Sequence, residues 1–444
     1  MDRPGRAHRY FAAMRCQQAA LAFAVLGLLF GSCRKDKDEQ APTIRFIEPA
    51  SGLNVVIPDT LTVSVEVSDN EVVTNVTFSV VNAQGFPVSS SSSVEPGSNP
   101  ATITVQLPLT SDLILSGDHE VKVVASDGTN RTTSSRSITI SGLPLRSRGI
   151  YLLTQPSSNL VNVQRIDSTG VLETLTTIGQ DLNCSAVSAN GQRIFLGGGT
   201  IGPLTALHPD GSVQAQLAGN NTLTTPFFTA LHVGPTGMVF VATNDGLLRR
   251  LNKDLGGTGY QAQAFAGHRI LQILERTDQV LTAQSANASA EERLVSYSAI
   301  GGVQTEVWML DKVPVVLFER DADHVLLFGN RNGQGVIEDR NTSDGGYWEP
   351  RTFPDPISDV ARVSSNVYIV ATGTELIRFT YNNAGALTIA SGTTFEHLAY
   401  NEVSGELIAT AGPEVFVMDP ASGTVLNTYV LPGEPQRPLV LYNR

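Results

Sequence analysis

Cysteine is nearly absent, with three residues in 444, at positions 16, 33 and 184. Cys16 falls inside an expected N-terminal signal and Cys33 at its end, so the processed chain has no pair for an internal disulfide. Its stability must then come from core packing. Cys184, in the run Asn183-Cys184-Ser185-Ala186-Val187, reads as a small buried hydrophobe, because nothing nearby looks like a paired base. Charge is also scarce: Asp, Glu, Lys and Arg make up 16% of the chain, and long polar tracts of the disordered kind are nearly missing. The balance is acidic, with a formal net charge of −12. Residues 1–32 carry four Arg and one Asp, so their removal leaves about −15. That excludes the electrostatic footprint of a nucleic-acid binder or of a protein drawn to anionic lipid. Catalytic signatures are missing too: no Gly-x-Ser-x-Gly elbow, no phosphate-cradling loop, no CxxC and no His-Glu-x-x-His. Gly197-Gly198-Gly199 follows a strand but opens no helix, and reads as a loop.

What the chain does have is glycine and proline (40 and 23 residues) punctuating short runs of Val, Thr, Ile and Ser. This is the composition of strands joined by turns. At 444 residues, more than one folded unit is expected.

The first residues read as an address. Arg3, Arg6, Arg9 and Arg15 precede an apolar stretch over residues 19–30, too short to span a bilayer as a stable helix. Met14 would open a more typical signal length. The stretch ends in Gly31-Ser32-Cys33, which resembles a lipobox, with Phe30 standing where Leu is usual. The resemblance implies a signal over 1–32, acylation of Cys33 and a membrane contact through that lipid, each buried methylene adding roughly 0.8 kcal/mol. Residues 33–41 are expected to form a solvated tether. Its acidic residues resemble the surface-export signal of Bacteroidota lipoproteins, interrupted here by Lys35 and Lys37. The expected location is the outer membrane, at the cell surface or periplasmic face.

Over 42–142 the pattern is alternation bounded by turns. Residues 60–67, 76–80, 101–105, 119–128 and 137–140 read as strands with one buried face. Six or seven such strands in 100 residues predict a β-sandwich. The run 117–140 resembles the closing hairpin of bacterial Ig-like and cadherin-like modules, which usually act as spacers. No acidic cluster of the calcium-binding kind is visible in the sequence, and the serine run 89–93 reads as an exposed loop.

Over 143–444 a period appears. A short apolar strand recurs with its second residue at 150, 194, 239, 280, 325, 367 and 407, separations of 40 to 45 residues. That is the pitch of a four-stranded propeller blade, seven times over. Each copy is followed by a third strand and a Gly- or Asn-containing hairpin turn. The first copy lacks its upstream strand, while 437–442 form an apolar strand with no blade of its own. The two deficits match, so the C-terminal strand is expected to become the innermost strand of the first blade. Residues 416–425, Phe-Val-Met-Asp-Pro-Ala-Ser-Gly-Thr-Val, resemble a YVTN-type repeat of surface-layer-like propellers. WD dipeptides and the Trp docking repeats of quinoprotein dehydrogenases are absent. The predicted fold class is therefore all-β, an Ig-like sandwich followed by a seven-bladed propeller.

Propellers take ligands where the loops entering the innermost strands converge. Those loops hold Asp181, His268, Arg269, Asp311, Lys312, Asp355, Glu396, His397, Glu434 and Arg437. Mixed charge there could orient a polar ligand or hold a metal. The seven positions share no repeated ligand type, so neither a cofactor nor a metal is expected. Asp321-Ala322-Asp323 is placed in a turn on the opposite face. Tyr347-Trp348 is placed at the start of an outer strand, packing between blades. The function expected is a binding or scaffold module for a glycan, peptide or envelope protein. The alternatives are a calcium-dependent lactonase, esterase or lyase, and a purely structural envelope component.

Overall fold

The computed structural model describes residues 38–220, 225–234 and 236–444. The signal, Cys33 and the start of the tether lie outside the described residues. The chain divides after Leu143 into two compact units.

The first unit is a two-sheet β-sandwich. One sheet runs Thr43–Glu48, Asp59–Ser68, Ala101–Leu109, all antiparallel. The other runs Leu53–Val56, Arg131–Ser141, Gly117–Ser126, Asn75–Asn82, Ser92–Val94, with its first pair parallel. Alternation along Asp59–Ser68 puts Val63, Val65 and Val67 inward, where they join Phe78, Val80, Val121 and Val123 of the facing sheet. Eight strands form rather than six or seven. The serine run is not wholly loop: Ser92 and Ser93 enter a short edge strand, with the Ser93 and Thr77 hydroxyls 2.9 Å apart.

The second unit is a propeller of seven four-stranded sheets. Six blades use consecutive strands. Blade 1 is built from Ser147–Ser157, Leu160–Ile166 and Leu172–Ile178, and its innermost place is filled by Leu439–Tyr442 from the end of the chain. That strand pairs antiparallel with Ser147–Ser157, Val440 opposite Ile150. The other innermost strands are Cys184–Ser188, Phe228–Val233, His268–Glu275, Val313–Glu319, Ile357–Arg362 and His397–Asn401, blades 2 to 7 in order. Each touches the next, and Leu439–Tyr442 touches those of both blade 7 and blade 2, so the ring is closed. Closure removes the unpaired inner edge that an open ring would expose.

The recurring strands are buried on both faces; Ile194, Phe195 and Leu196 are all inaccessible to solvent. The hairpin turns use glycine where positive φ is needed, as at Gly170, Gly211, Gly302 and Gly423. At Gly423 a side chain is also excluded by space, since a Cβ would stand 2.0 Å from the Ile389 carbonyl of the preceding blade. In blade 6 Ala384 takes the left-handed position, at φ 49.

Candidate functional site

All innermost strands run the same way, so the loops that precede them gather on one face, here called the upper face. The ten candidate residues lie in or beside those loops. Four consecutive innermost strands, in blades 3 to 6, carry a register break near that face. The breaks fall between Phe228 and Ala230, Ile270 and Gln272, Pro314 and Val316, and Ile357 and Asp359. A bulge inserts one unpaired residue and bends the strand, a device common at barrel rims and beside sites. Periodicity gives no warning of these insertions.

Asp181, Lys312 and Arg437 turn inward, to the protein itself. The Asp181 carboxylate accepts the amides of Gly199 (2.9 Å), Thr200 (2.5 Å), Ile201 (3.2 Å) and Gly202 (2.7 Å). Burial opposes its charge, but these four donors outweigh it and hold the carboxyl below its ordinary value. A Cβ at Gly199 or Gly202 would come within 2.8 Å of the same oxygens, so the glycine loop is shaped around Asp181. The Lys312 ammonium is inaccessible and meets Glu338 (2.6 Å), Glu349 (2.8 Å) and Asp311 (3.0 Å). Arg331 bridges Asp311 (2.6 Å) and Glu349 (2.8 Å), and Arg340 reaches Glu338 at 2.5 Å. Arg437 pairs with Asp359 at 3.1 Å and donates to the carbonyls of Val360 and Leu398, tying the closing strand to blades 6 and 7. Asp355 has its side chain at the surface, while its carbonyl accepts from Gly335 and Thr372.

Three other candidates converge. Glu396, His397 and Glu434 line one open cleft of ≈ 680 Å³ with Gln155 and Gln436. Burial lowers the His397 pKa while Asp359 pulls it up, so the imidazole is neutral at pH 7. His268 stays buried in blade 4. Its Nδ1 lies 3.0 Å from the Ala266 carbonyl, its ring meets Phe265 edge-on, and its Nε2 is 3.7 Å from Glu291. Arg269 faces a separate cleft among asparagines. The ten residues therefore share a face but not a site. Sequence reasoning missed Gln155, at the upper end of Ser147–Ser157, and Gln436, Asn183, Asn244 and Asn287, whose only signal was membership of upper-face loops rich in polar residues.

Asp321 sits in the turn between Val313–Glu319 and His324–Arg331, on the lower face. Burial raises its pKa, but the His324 ring and the Asp323 amide overcome this and bring it to about 2. Trp348 donates to Asp339 at 3.1 Å and packs edge-on against Tyr381 of the next blade, while Tyr347 lies under the Arg340 and Lys312 cations. Burial pushes the Cys184 thiol up to about 12, far from a nucleophile's range.

Among the described residues, two clusters of carboxylates have the spacing to hold a metal ion. Asp311, Glu338 and Glu349 are one, and there the Lys312 ammonium already supplies the positive charge. The other is in the sandwich, where Asp38, Asp69 and Asp127 converge although no such cluster is visible in the sequence. Lying 31 and 58 residues apart, they meet only when the tether's end packs on two loops. Asn70 donates to the Asp38 carboxylate at 3.2 Å, and Asn130 donates to the carbonyls of Asp38 and Gln40. That end of the tether is therefore fixed to the sandwich, not solvated throughout.

No protein-family model matches the chain, and no curated protein matches it. Among solved structures it is similar to a functionally unknown protein from Desulfotomaculum acetoxidans, at 13% identity and a TM-score of 0.51, covering 66% of this chain and 99% of that one. It is also similar to a quinonprotein alcohol dehydrogenase-like protein from Bacteroides thetaiotaomicron, at 13% identity, TM-score 0.48, covering 90% and 99%. A third is BamB from Moraxella catarrhalis, at 12% identity, TM-score 0.40, covering 66% and 89%. At such identities the likeness speaks to fold alone, and the all-β architecture rests on the closed seven-sheet ring itself.

Proposed function

We propose that this chain is a lipid-anchored envelope protein whose propeller serves as a binding scaffold, with the upper face engaging its partner. The observation that carries the reading is the meeting of Glu396, His397 and Glu434 in one open polar cleft on that face. A closed ring supports it, because short loops anchored on a rigid ring need little ordering when a partner docks. The anchor rests on the lipobox-like Gly31-Ser32-Cys33, and the Ig-like sandwich acts as the spacer.

Photo-cross-linking in cells tests the face. A cross-linker at position 434 should capture a partner, and Glu396→Arg should abolish that capture. One at position 278, in a lower-face turn, should capture nothing. Capture from 278 alone would overturn the reading. The anchor has its own test, since Cys33→Ala should move the protein from the membrane fraction to the soluble one. Retention of that variant through a high-salt wash would refute the lipid assignment.

A further inference from the structure

The second upper-face cleft, ≈ 760 Å³ over blades 2 to 4, has a different character from the first. Its wall presents Asn183, Asn244 and Asn287 with Thr229, Arg269 and Leu271, and one carboxylate, Asp245, whose Oδ1 accepts from the Thr243 hydroxyl and the Leu247 amide. Two of these are the extra residues of strand bulges: Thr229 is skipped between Phe228 and Ala230, and Leu271 between Ile270 and Gln272. Neighbouring blades thus each insert one residue, and both insertions line the same cleft. A bulge frees its extra residue from the ladder and re-aims the side chain.

The polar groups are held in place, and part of their bonding capacity is unused. Asn183 Nδ2 donates to the Phe228 carbonyl at 2.7 Å, which fixes that amide. Asn244 Nδ2 is held by Thr225, while Asn244 Oδ1 and Thr229 Oγ1 are shielded from solvent with no hydrogen-bond partner among the described residues. Such groups are costly to bury unless a ligand completes them. The Arg269 side chain, on the strand paired with Gln279–Ala286, makes no hydrogen bond or ion pair among the described residues, its charge felt at a distance by Glu292, so its planar donor fork remains for a carboxylate. No aromatic ring is among the described lining residues, and a sugar lacks its usual stacking platform.

We infer that this cleft binds an extended peptide segment bearing a carboxylate. Arg269 holds the carboxylate, Asn244 and Thr229 pair with main-chain groups, and Leu271 packs on an apolar side chain. The inference deepens the binding-scaffold reading and rests on the same upper face.

The test uses the full-length processed chain with Cys33→Ala, screened against a library of N-acetylated random peptides, with an array of neutral oligosaccharides as the second arm. Peptides with Asp, Glu or a free C-terminal carboxylate should be enriched. Arg269→Gln should weaken the best of them by about tenfold or more, the loss of a charge-assisted pair, with an unchanged melting curve. Should that variant misfold, Asn287→Ala at the exposed rim gives the second reading, with a severalfold loss expected. Absence of enrichment, enrichment indifferent to both variants, or capture of oligosaccharides in place of peptides would overturn the inference. Cross-linking from position 434 that persists without peptide enrichment would sink this cleft alone; loss of both would sink the scaffold reading with it.

Discussion

Removing residues 437–444 should destabilise the whole propeller, although terminal residues are ordinarily dispensable. Leu439 and Leu441 pack with Tyr151, Ile194 and Leu196 between blades 1 and 2, while Val440 packs with Ile150 and Ile408 between blades 7 and 1. The Tyr442 hydroxyl accepts from the Glu402 amide, and the Tyr442 carbonyl accepts from Gln192. Arg437 adds its pairing with Asp359. Burial of each leucine contributes about 1.5–3 kcal/mol, so the combined loss approaches the margin of about 5–15 kcal/mol typical of a domain. A fall of roughly 10 °C or more in Tm is expected, taking about 2–4 °C per kcal/mol at this size. Melting of the truncated and full-length soluble forms by circular dichroism checks it.

Lys312→Met should produce the largest effect of any single substitution in the ring. It leaves Glu338, 1% exposed, with Arg340 as its remaining ion partner, and frees Glu349 and Asp311 from a shared cation. Breaking a buried pair on one side costs about 3–5 kcal/mol, because the abandoned charge stays buried. Adding Glu338→Gln should recover part of the loss. The pH dependence follows with a definite sign. Burial works against the Lys312 charge, yet the hydrogen bonds it donates to Glu338 and Glu349 outweigh this and raise the pKa. Its contribution is therefore complete below the ordinary lysine value of 10.5 and is lost as pH climbs through the raised folded value. Glu349 is held below its ordinary 4.5, chiefly by Arg331, so its contribution is present above 4.5 and disappears as pH falls through the lowered value. The network stabilises fully from about pH 4.5 to 10.5, and the variant should lose the alkaline limb of that profile. Equilibrium unfolding across this range would show it; a Lys312→Met protein as stable as its parent would refute the role.

The ring was legible because a repeat writes its geometry into spacing. Seven apolar strands at a 40–45-residue pitch, a first copy lacking one strand and a surplus strand at the end sufficed to predict closure. Even the facing of the last strand followed from alternation, with Leu439 and Leu441 on one side and Val440 on the other. The site was legible only as a face. Loop position says which end of a blade a residue occupies, not whether its charge is spent on a neighbour. Lys312, in the loop before Val313–Glu319, and Glu338, in Gln334–Asn341, lie 26 residues apart, and their side chains meet only after the blade forms. Asp181 recognises a glycine loop through backbone amides, which leave no trace in residue type. The Asp38, Asp69 and Asp127 cluster was hidden for the same reason, assembled by loops rather than by a motif. Bulges at Thr229 and Leu271 shift no period, so the asparagine cleft had no signature either.

Amide hydrogen exchange of residues 439–442 tests the closed ring most directly. The amides of this strand that point at Ser147–Ser157 should exchange as slowly as those of the central strand Arg193–Gly197, while those facing the channel exchange faster. Exchange at the rate of an unprotected tail would mean that the C-terminal strand does not close the propeller.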